Sequence, residues 1–548
     1  MIRGISIVLA CASVIALHAS TAQARNNITV KPAELAAPNV SDFVAEEELV
    51  KANTNSDESA NKRKPSGNST KITGSEDLMS PELKIFRDKL IKTRHAEQLE
   101  PLLKDYNARY DSLPNDLKYV VARLSPILPF RGFFWRMATL AHQAVITQEV
   151  LLSTIRAFAE QIMTFEPDAQ WQAYMTFFSI PSAGNLVAPA DKHDHVKRVD
   201  GRFYVENDLV DFLATDVYRV LGTAIKRMAA LKTTIQINGK STPLVFDGRI
   251  RFGENAFNQS YDAVDRFALI GEAERFACMA RFHRRMATIS QLAAYNMNGN
   301  IALRKEIGKK YGIDATLSGI LDNDALGVDG LVRQERVKLA NTHAQLFTLR
   351  NKEWMRTAYM HLNKWSVYLG RAWEDLQTER DNYDMLLDPD VFSGRHEQID
   401  KSISNLRRML PAPEKGGVAA VYGAISGEEL KIDLKSFFYN PPDDLKKLMP
   451  IKFNHHEDIE ALRHVYGERN LKLGNKSTVQ MSIEVDGRKR DVEWRNYLFG
   501  RATGWSPSEY GKLFPGVSSP EDVARSQRVL GETRGGRPLL NTLAVFVK

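Results

Sequence analysis

Pro243 and Pro389 bracket a long stretch of chain that contains no proline. Proline interrupts helices more reliably than any other residue, because it lacks an N–H and its ring clashes with the preceding turn. Its absence here, with apolar residues recurring every three and four positions, predicts a body of long helices. Two runs carry the pattern most clearly, residues 255–297 and 331–387. Unbroken, the second would extend about 85 Å. Its stripe is Leu346, Trp354, Ala358, Leu362, Trp365, Leu369, Ala372, Trp373 and Leu376, which puts three tryptophans on one broad face. Helices of this length belong to bundles, hairpins and assembly parts. Strict heptads are not sustained, so a bundle or hairpin is expected rather than a two-stranded coiled coil.

The flanking chain extends this picture. Folded structure is expected to begin near Pro81 and to stay helical to about Glu166, with Leu140, Ala144, Thr147, Leu151, Thr154, Phe158 and Ile162 along one face. Small hairpins interrupt the helices. One is expected at 195–205 around Asp200-Gly201. Another joins Thr234–Ile237 to Leu244–Phe246 through Asn238-Gly239, with Pro243 marking the second strand as an edge. Asp208–Leu231 returns to helical spacing. After Pro389 the texture changes: Pro411, Pro413, Gly416-Gly417 and Pro441-Pro442 punctuate shorter elements, which places a boundary near 410.

The sharpest local expectation is a hairpin at 478–495 with Asp486-Gly487 as its turn. Counting outward pairs Glu484 with Lys489, Met481 with Val492 and Val479 with Trp494, so opposite charges and apolar residues match. Nearer the turn, Ile483 meets Arg490 and Val485 meets Arg488, which is a poorer match. The expected fold is therefore mainly α, a helical bundle or long helical hairpin with small β-hairpins, followed by a smaller α+β C-terminal part. The expected divisions are 1–24, 25–80, 81–410 and 411–548.

The first of these divisions reads as a cleavable signal peptide. Arg3 precedes the apolar run Ile5–Leu17, and Ala22-Gln23-Ala24 presents small residues at both positions that signal peptidase reads. The run is too short to span a bilayer, which takes roughly 20 residues. Leu9 before Ala10-Cys11 and the apolar run beyond the cysteine argue against a lipoprotein site. Cleavage after Ala24 and a periplasmic or secreted location are expected. The mature chain would keep a single cysteine, Cys278, so it must be stabilised by packing without an internal disulfide. Cys278 lies in an amphipathic helical run and reads as a core residue.

Residues 25–80 are rich in Asn, Ser, Thr, Lys, Glu and Ala and poor in large apolar groups, so they read as a disordered tail or linker. One island breaks the pattern. Ser41-Asp42-Phe43-Val44 leads through acidic residues to Leu49-Val50 and could form a short helix, either as residual hydrophobicity in a linker or as a docking motif.

Charge excludes little except nucleic acid. The net charge of +7 falls by one when Arg3 leaves with the leader, which is mild for this length. No second segment reads as membrane-spanning: the most apolar candidate, 126–152, carries Arg131, Arg136, His142 and Glu149.

Motifs for chemistry are sparse. His456, Glu460 and His464 follow one another at four-residue spacing and form the nearest approach to a metal site. The outer pair would lie about 12 Å apart along a helix, too far to share an ion, so a surface helix is the simpler reading. His193-Asp194-His195 reads as loop composition. Asp322, Asp324 and Asp329 suggest a calcium loop, but Leu326 and Arg333 stand where oxygen ligands belong. There is no Gly-x-Ser-x-Gly elbow, complete phosphate loop or Glu-x-x-His pair. No cofactor is expected.

Two function classes remain. One is a structural or interaction protein of the cell envelope, such as part of a secretion, conjugation or pilus apparatus. Its partners would be other envelope proteins, and the expected contacts are Trp354, Trp365, Trp373, Phe43, Val44 and Val50. Core packing is the competing reading for the tryptophans. The other class is an exported hydrolase acting on cell wall or glycan through carboxylates in an interdomain cleft, which requires paired acids with perturbed titration.

Overall fold

The computed structural model describes residues 76–137, 171–182, 202–248 (except 238–239), 267–300, 341–378, 396–448 (except 424–426) and 511–519. It also gives the strands of 471–495 and a few single positions, among them Glu46, Glu48 and Val50. The expectation of a mainly α chain with small hairpins holds.

Helix α1 (Pro81–Lys92) begins where the sequence places it. Pro81 occupies the first turn and Ser80 Oγ accepts from the Leu83 amide at 3.2 Å. Helices α2 (Ala96–Ala108), α3 (Asn115–Leu124), α4 (Phe133–Met137) and α5 (Trp171–Ser179) follow, and the stripe expected over 140–162 lies outside the described residues. α6 (Glu206–Phe212) passes through one π turn (Leu213–Val217) into α7 (Tyr218–Ala229). The 195–205 hairpin is corrected where it is visible: Arg202–Tyr204 form no strand, because the Tyr204 and Val205 amides donate to Asp208 and cap α6 instead.

β1 (Thr234–Ile237) and β2 (Lys240–Asp247) pair through Asn238-Gly239 as expected, with Ile237 opposite Lys240. β2 is not an edge, however. β3 (Phe267–Ile270) pairs with its far half, and the order is β1-β2-β3. Pro243 is tolerated because it ends the first ladder and the second begins at Leu244.

The centre of the molecule is an antiparallel pair, α8 (Glu272–Ala294) and α9 (Lys352–Thr378). Phe276 meets Tyr368, His283 meets His361, and the Arg350 amide donates to Ala294 O at 2.7 Å. Gly271 N–H donates to Glu274 at 2.8 Å and starts α8, so the helix expected from 255 begins at 272, after a strand. The helix expected over 331–387 is also broken. Residues 343–351 are not helical: Phe347 turns to φ 62°, its amide donates to Asn296 O, and Leu349 forms a bridge with Tyr295. Asn351 then accepts from the Glu353 amide at 2.9 Å and starts a new helix.

Beyond α10 (His396–Met409) come the β4 (Ala419–Tyr422) and β5 (Glu429–Ile432) hairpin and α11 (Leu434–Tyr439). They share the central apolar core. Tyr359 Oη and Asn363 Nδ2 of α9 donate to Pro411 O and Leu410 O, each at 2.8 Å, and Phe437 and Phe438 are buried. β7 (Thr478–Val485) and β8 (Arg488–Arg495) adopt the expected register, Val479 with Trp494, Met481 with Val492 and Glu484 with Lys489; β6 (Leu471–Leu473) adds to β7. No described helix is long and apolar enough to cross a membrane.

Candidate functional site

At the middle of the α8–α9 pair, a line of polar side chains runs through the core. His283 projects from α8, His361, Lys364 and Tyr368 from α9, and Tyr218 from the start of α7. Glu46 enters from the N-terminal segment. His283, His361 and Tyr368 are at most 1% exposed, Glu46 4% and Tyr218 9%. Buried polar groups must find partners, and these find one another. Tyr218 Oη lies 2.6 Å from His361 Nε2. His361 Nδ1 lies 2.8 Å from His283 Nδ1. His283 Nε2 lies 3.0 Å from Glu46 Oε1, to which Tyr368 Oη donates at 2.5 Å.

These contacts constrain where the protons sit. Two facing ring nitrogens need one proton between them. An ionised Glu46 accepts from His283 Nε2–H, and where His283 carries only that proton its Nδ1 faces His361 as an acceptor. In that state His361 donates from Nδ1 and its Nε2 accepts from the Tyr218 hydroxyl, so every donor points the same way, from Tyr218 through both imidazoles to Glu46. Burial alone would push the Glu46 carboxyl up. The His283 charge, the hydrogen bonds from His283 and Tyr368, and the Lys364 charge together outweigh it and hold the carboxyl below its ordinary range. Burial, then the charges of His283 and Lys364, hold the His361 imidazole well below its ordinary value.

Aromatic faces keep the relay dry. Tyr368 stacks on His283 at 5.4 Å and on Phe276 at 5.9 Å, and Tyr218 packs edge-on to Trp354 at 5.3 Å. The arrangement suits holding and passing a proton, not gripping a metal. His283 turns its two nitrogens to opposite sides, so His361 and Glu46 cannot converge on one ion with it. Among the described residues no group of three or more His, Cys, Asp or Glu is placed to hold a metal.

A second charged cluster lies near the other end of the pair. Arg275, fully buried, pairs with Glu272 and donates to Ala229 O at 3.1 Å, while Thr233 Oγ1 donates to Glu272 at 2.5 Å. Asp375 of α9 lies within the field of this cluster. Its carboxyl is pushed up to about 7, first by burial and then by the charge of Glu272, with Arg275 opposing.

The residues singled out from sequence fall elsewhere. Trp354, Trp365 and Trp373 are 1%, 4% and 7% exposed, and their indoles are covered by the protein's own side chains. Trp365 lies under Arg284 at 5.5 Å, and Trp373 Nε1 donates to Asp400 at 2.5 Å. In this conformation none of the three presents a surface to a partner. Val50 is 1% exposed and belongs to the central core. Phe43, Val44, His456, Glu460 and His464 lie outside the described residues. Cys278 is buried, in the core position its helical run implies.

Sequence reasoning passed over the relay. Its members come from four distant segments, and Glu46 is 322 residues from Tyr368. One signal was available. His361 and Tyr368 continue the spacing of Trp354, Ala358, Trp365 and Ala372 along the buried face of α9, and polar residues on a core stripe call for partners. No protein-family model, curated protein or solved structure matches the chain.

Proposed function

We propose that this chain is an exported structural and interaction protein of an envelope-associated assembly, such as a secretion, conjugation or pilus apparatus, and that its helical body works as a docking platform. The observation that carries the reading is the reception of Glu46 by the α8–α9 pair, with Val50 buried in the central core beside it in sequence. Residues from a segment more than two hundred positions away are bound as a ligand would be, one through a carboxylate and one through an aliphatic side chain. The side chains best suited to chemistry support the same reading, since His283, His361, Glu46 and both tyrosines are engaged with each other in the core. The β4–β5 hairpin adds a surface. Ala419 and Val421 are buried while Val418 and Tyr422 stand 53% and 55% exposed, an apolar pair open to a partner. Export rests on the leader pattern.

The test is the native size of the protein, gently extracted from its own cells and compared with the purified chain by light scattering. A large multi-protein particle in the extract is expected. A monomer in both preparations removes the assembly reading.

A second reading, an exported hydrolase, draws support from Asp375, a carboxyl held near neutrality beside Glu272 and Glu374. It requires hydrolysis of a cell-wall or glycan polymer that disappears in Asp375→Asn. If the wild-type protein cleaves none of these polymers, or the variant cleaves as well, this reading is lost.

A further inference from the structure

We infer that the turn bearing Glu46 and Val50 is a detachable strap, and that His283 and Tyr368, backed by His361, form the carboxylate receptor that holds it down. The turn grips the body by two residues one helical turn apart. Glu46 and Val50 are buried, while Glu48 between them is exposed, so the turn lays its Glu46–Val50 face on the body. The carboxylate recognition is specific, with two hydroxyl or imidazole donors on a single oxygen at 3.0 and 2.5 Å. Neither donor belongs to the strap. The receptor is built wholly on the α8–α9 pair, whose two helices also hold each other through Phe276–Tyr368 and His283–His361. The sequence between the strap and the helical body, Lys51 to Ser75, is polar.

The device responds to protons because the groups that bond to the Glu46 carboxylate or bear charge on its relay are titratable or charged. These are Tyr218 on α7, His283 on α8, and His361, Lys364 and Tyr368 on α9, with Arg371 over the Tyr368 ring at 5.7 Å. A neutral Glu46 keeps its shape but no longer draws the two donors as an ion does, so acid loosens the strap. Release would bare the receptor and the apolar side chain of Val50 together. This inference rests on the docking-platform reading and is independent of export and of assembly membership.

The experiment uses the full-length chain with a site-specific protease sequence inserted between Lys51 and Ser75. After cleavage at neutral pH, the fragment carrying Glu46 is expected to stay with the body on gel filtration. An excess of synthetic peptide spanning residues 40–54 is expected to displace it, while the same peptide carrying Glu46→Gln should need at least ten times the concentration. Acidification below the ordinary carboxylate range, where the docked Glu46 takes up its proton, should release the fragment while α8 and α9 keep their hydrogen-exchange protection. A fragment that no peptide displaces makes the turn a fixed part of the core and overturns the proposal. A fragment that leaves at once at neutral pH, or equal competition by both peptides, overturns the carboxylate receptor. None of these results depends on the native size of the protein, so failure here is distinguishable from failure of the assembly reading.

Discussion

His361 should make the fold weaken in acid, and the size of the effect follows from its surroundings. An unfolded histidine titrates near 6.5, whereas the folded imidazole, 1% exposed, is held well below that value by burial and by the charges of His283 and Lys364. In the interval below 6.5 the unfolded chain therefore binds a proton that the folded chain refuses, and stability falls as pH falls. Between about pH 7.5 and about pH 5.5 one such group removes about 1.4 kcal/mol, a tenfold change in the folding constant. Asp375 contributes with the opposite sign. Its carboxyl, raised to about 7 in the fold, favours the folded state at low pH and loses that stabilisation as pH rises through 7. The wild-type slope alone is therefore a sum, and the informative quantity is a difference. Denaturant unfolding of wild type and His361→Gln at the two pH values supplies it. The variant is expected to lose about 1.4 kcal/mol less on acidification, whatever its stability at neutral pH. Equal losses in the two proteins would refute the argument that His361 is held neutral in the core.

Other perturbations test the neighbouring contacts. Tyr218→Phe removes the donor to His361 Nε2 and should cost about 1–3 kcal/mol in denaturant unfolding; no measurable loss would mean that the hydroxyl does not serve the ring. Trp354→Ala should cost about 3–5 kcal/mol, because a side chain 1% exposed leaves a cavity; a loss below about 1 kcal/mol would deny it a core role. Asp375→Asn should flatten the decline of stability between pH 4 and 7 that the raised carboxyl causes, checked by thermal midpoints across that range; an unchanged profile would place the titration elsewhere. Glu46→Gln should speed amide exchange at residues 46–50 at least tenfold while leaving α8 protected; uniform exchange across both would make Glu46 a global determinant of stability.

Local chemistry was readable from the residues, and long-range placement was not. The registers around Asn238-Gly239 and Asp486-Gly487 follow from turn geometry and alternation, which act over a few residues. The start at Pro81 follows from a Ser-Pro cap. The run taken for one helix over 331–387 misled, because apolar spacing continues across the break at 343–351. The deciding signal was Asn351 as a fresh cap, together with backbone pairing to Asn296 and Asp443 that spacing cannot reveal. β3 was hidden for a similar reason, since Phe267–Ile270 becomes a strand by pairing with β2, which is not contiguous with it in sequence. The tryptophan stripe correctly marked one face of α9, but its pattern alone could not tell a core face from a docking face. Burial of all three rings, with Trp354 against Tyr218, assigns the face to packing in this conformation. The relay depended on tertiary folding throughout. Each histidine taken singly is an ordinary member of an amphipathic helix, and only the antiparallel pairing of α8 with α9 brings them together.

A neutral His361 stands between Tyr218 and His283 and directs hydrogen bonding from Tyr218 toward Glu46. Nitrogen-15 NMR of histidine side chains reads it directly, with His283 and His361 assigned by substitution. Between pH 8 and 6 a protonated Nδ1 and a bare Nε2 are expected on His361, with no titration. A His361 ring that titrates near 6.5, or that carries its proton on Nε2 at neutral pH, would contradict it.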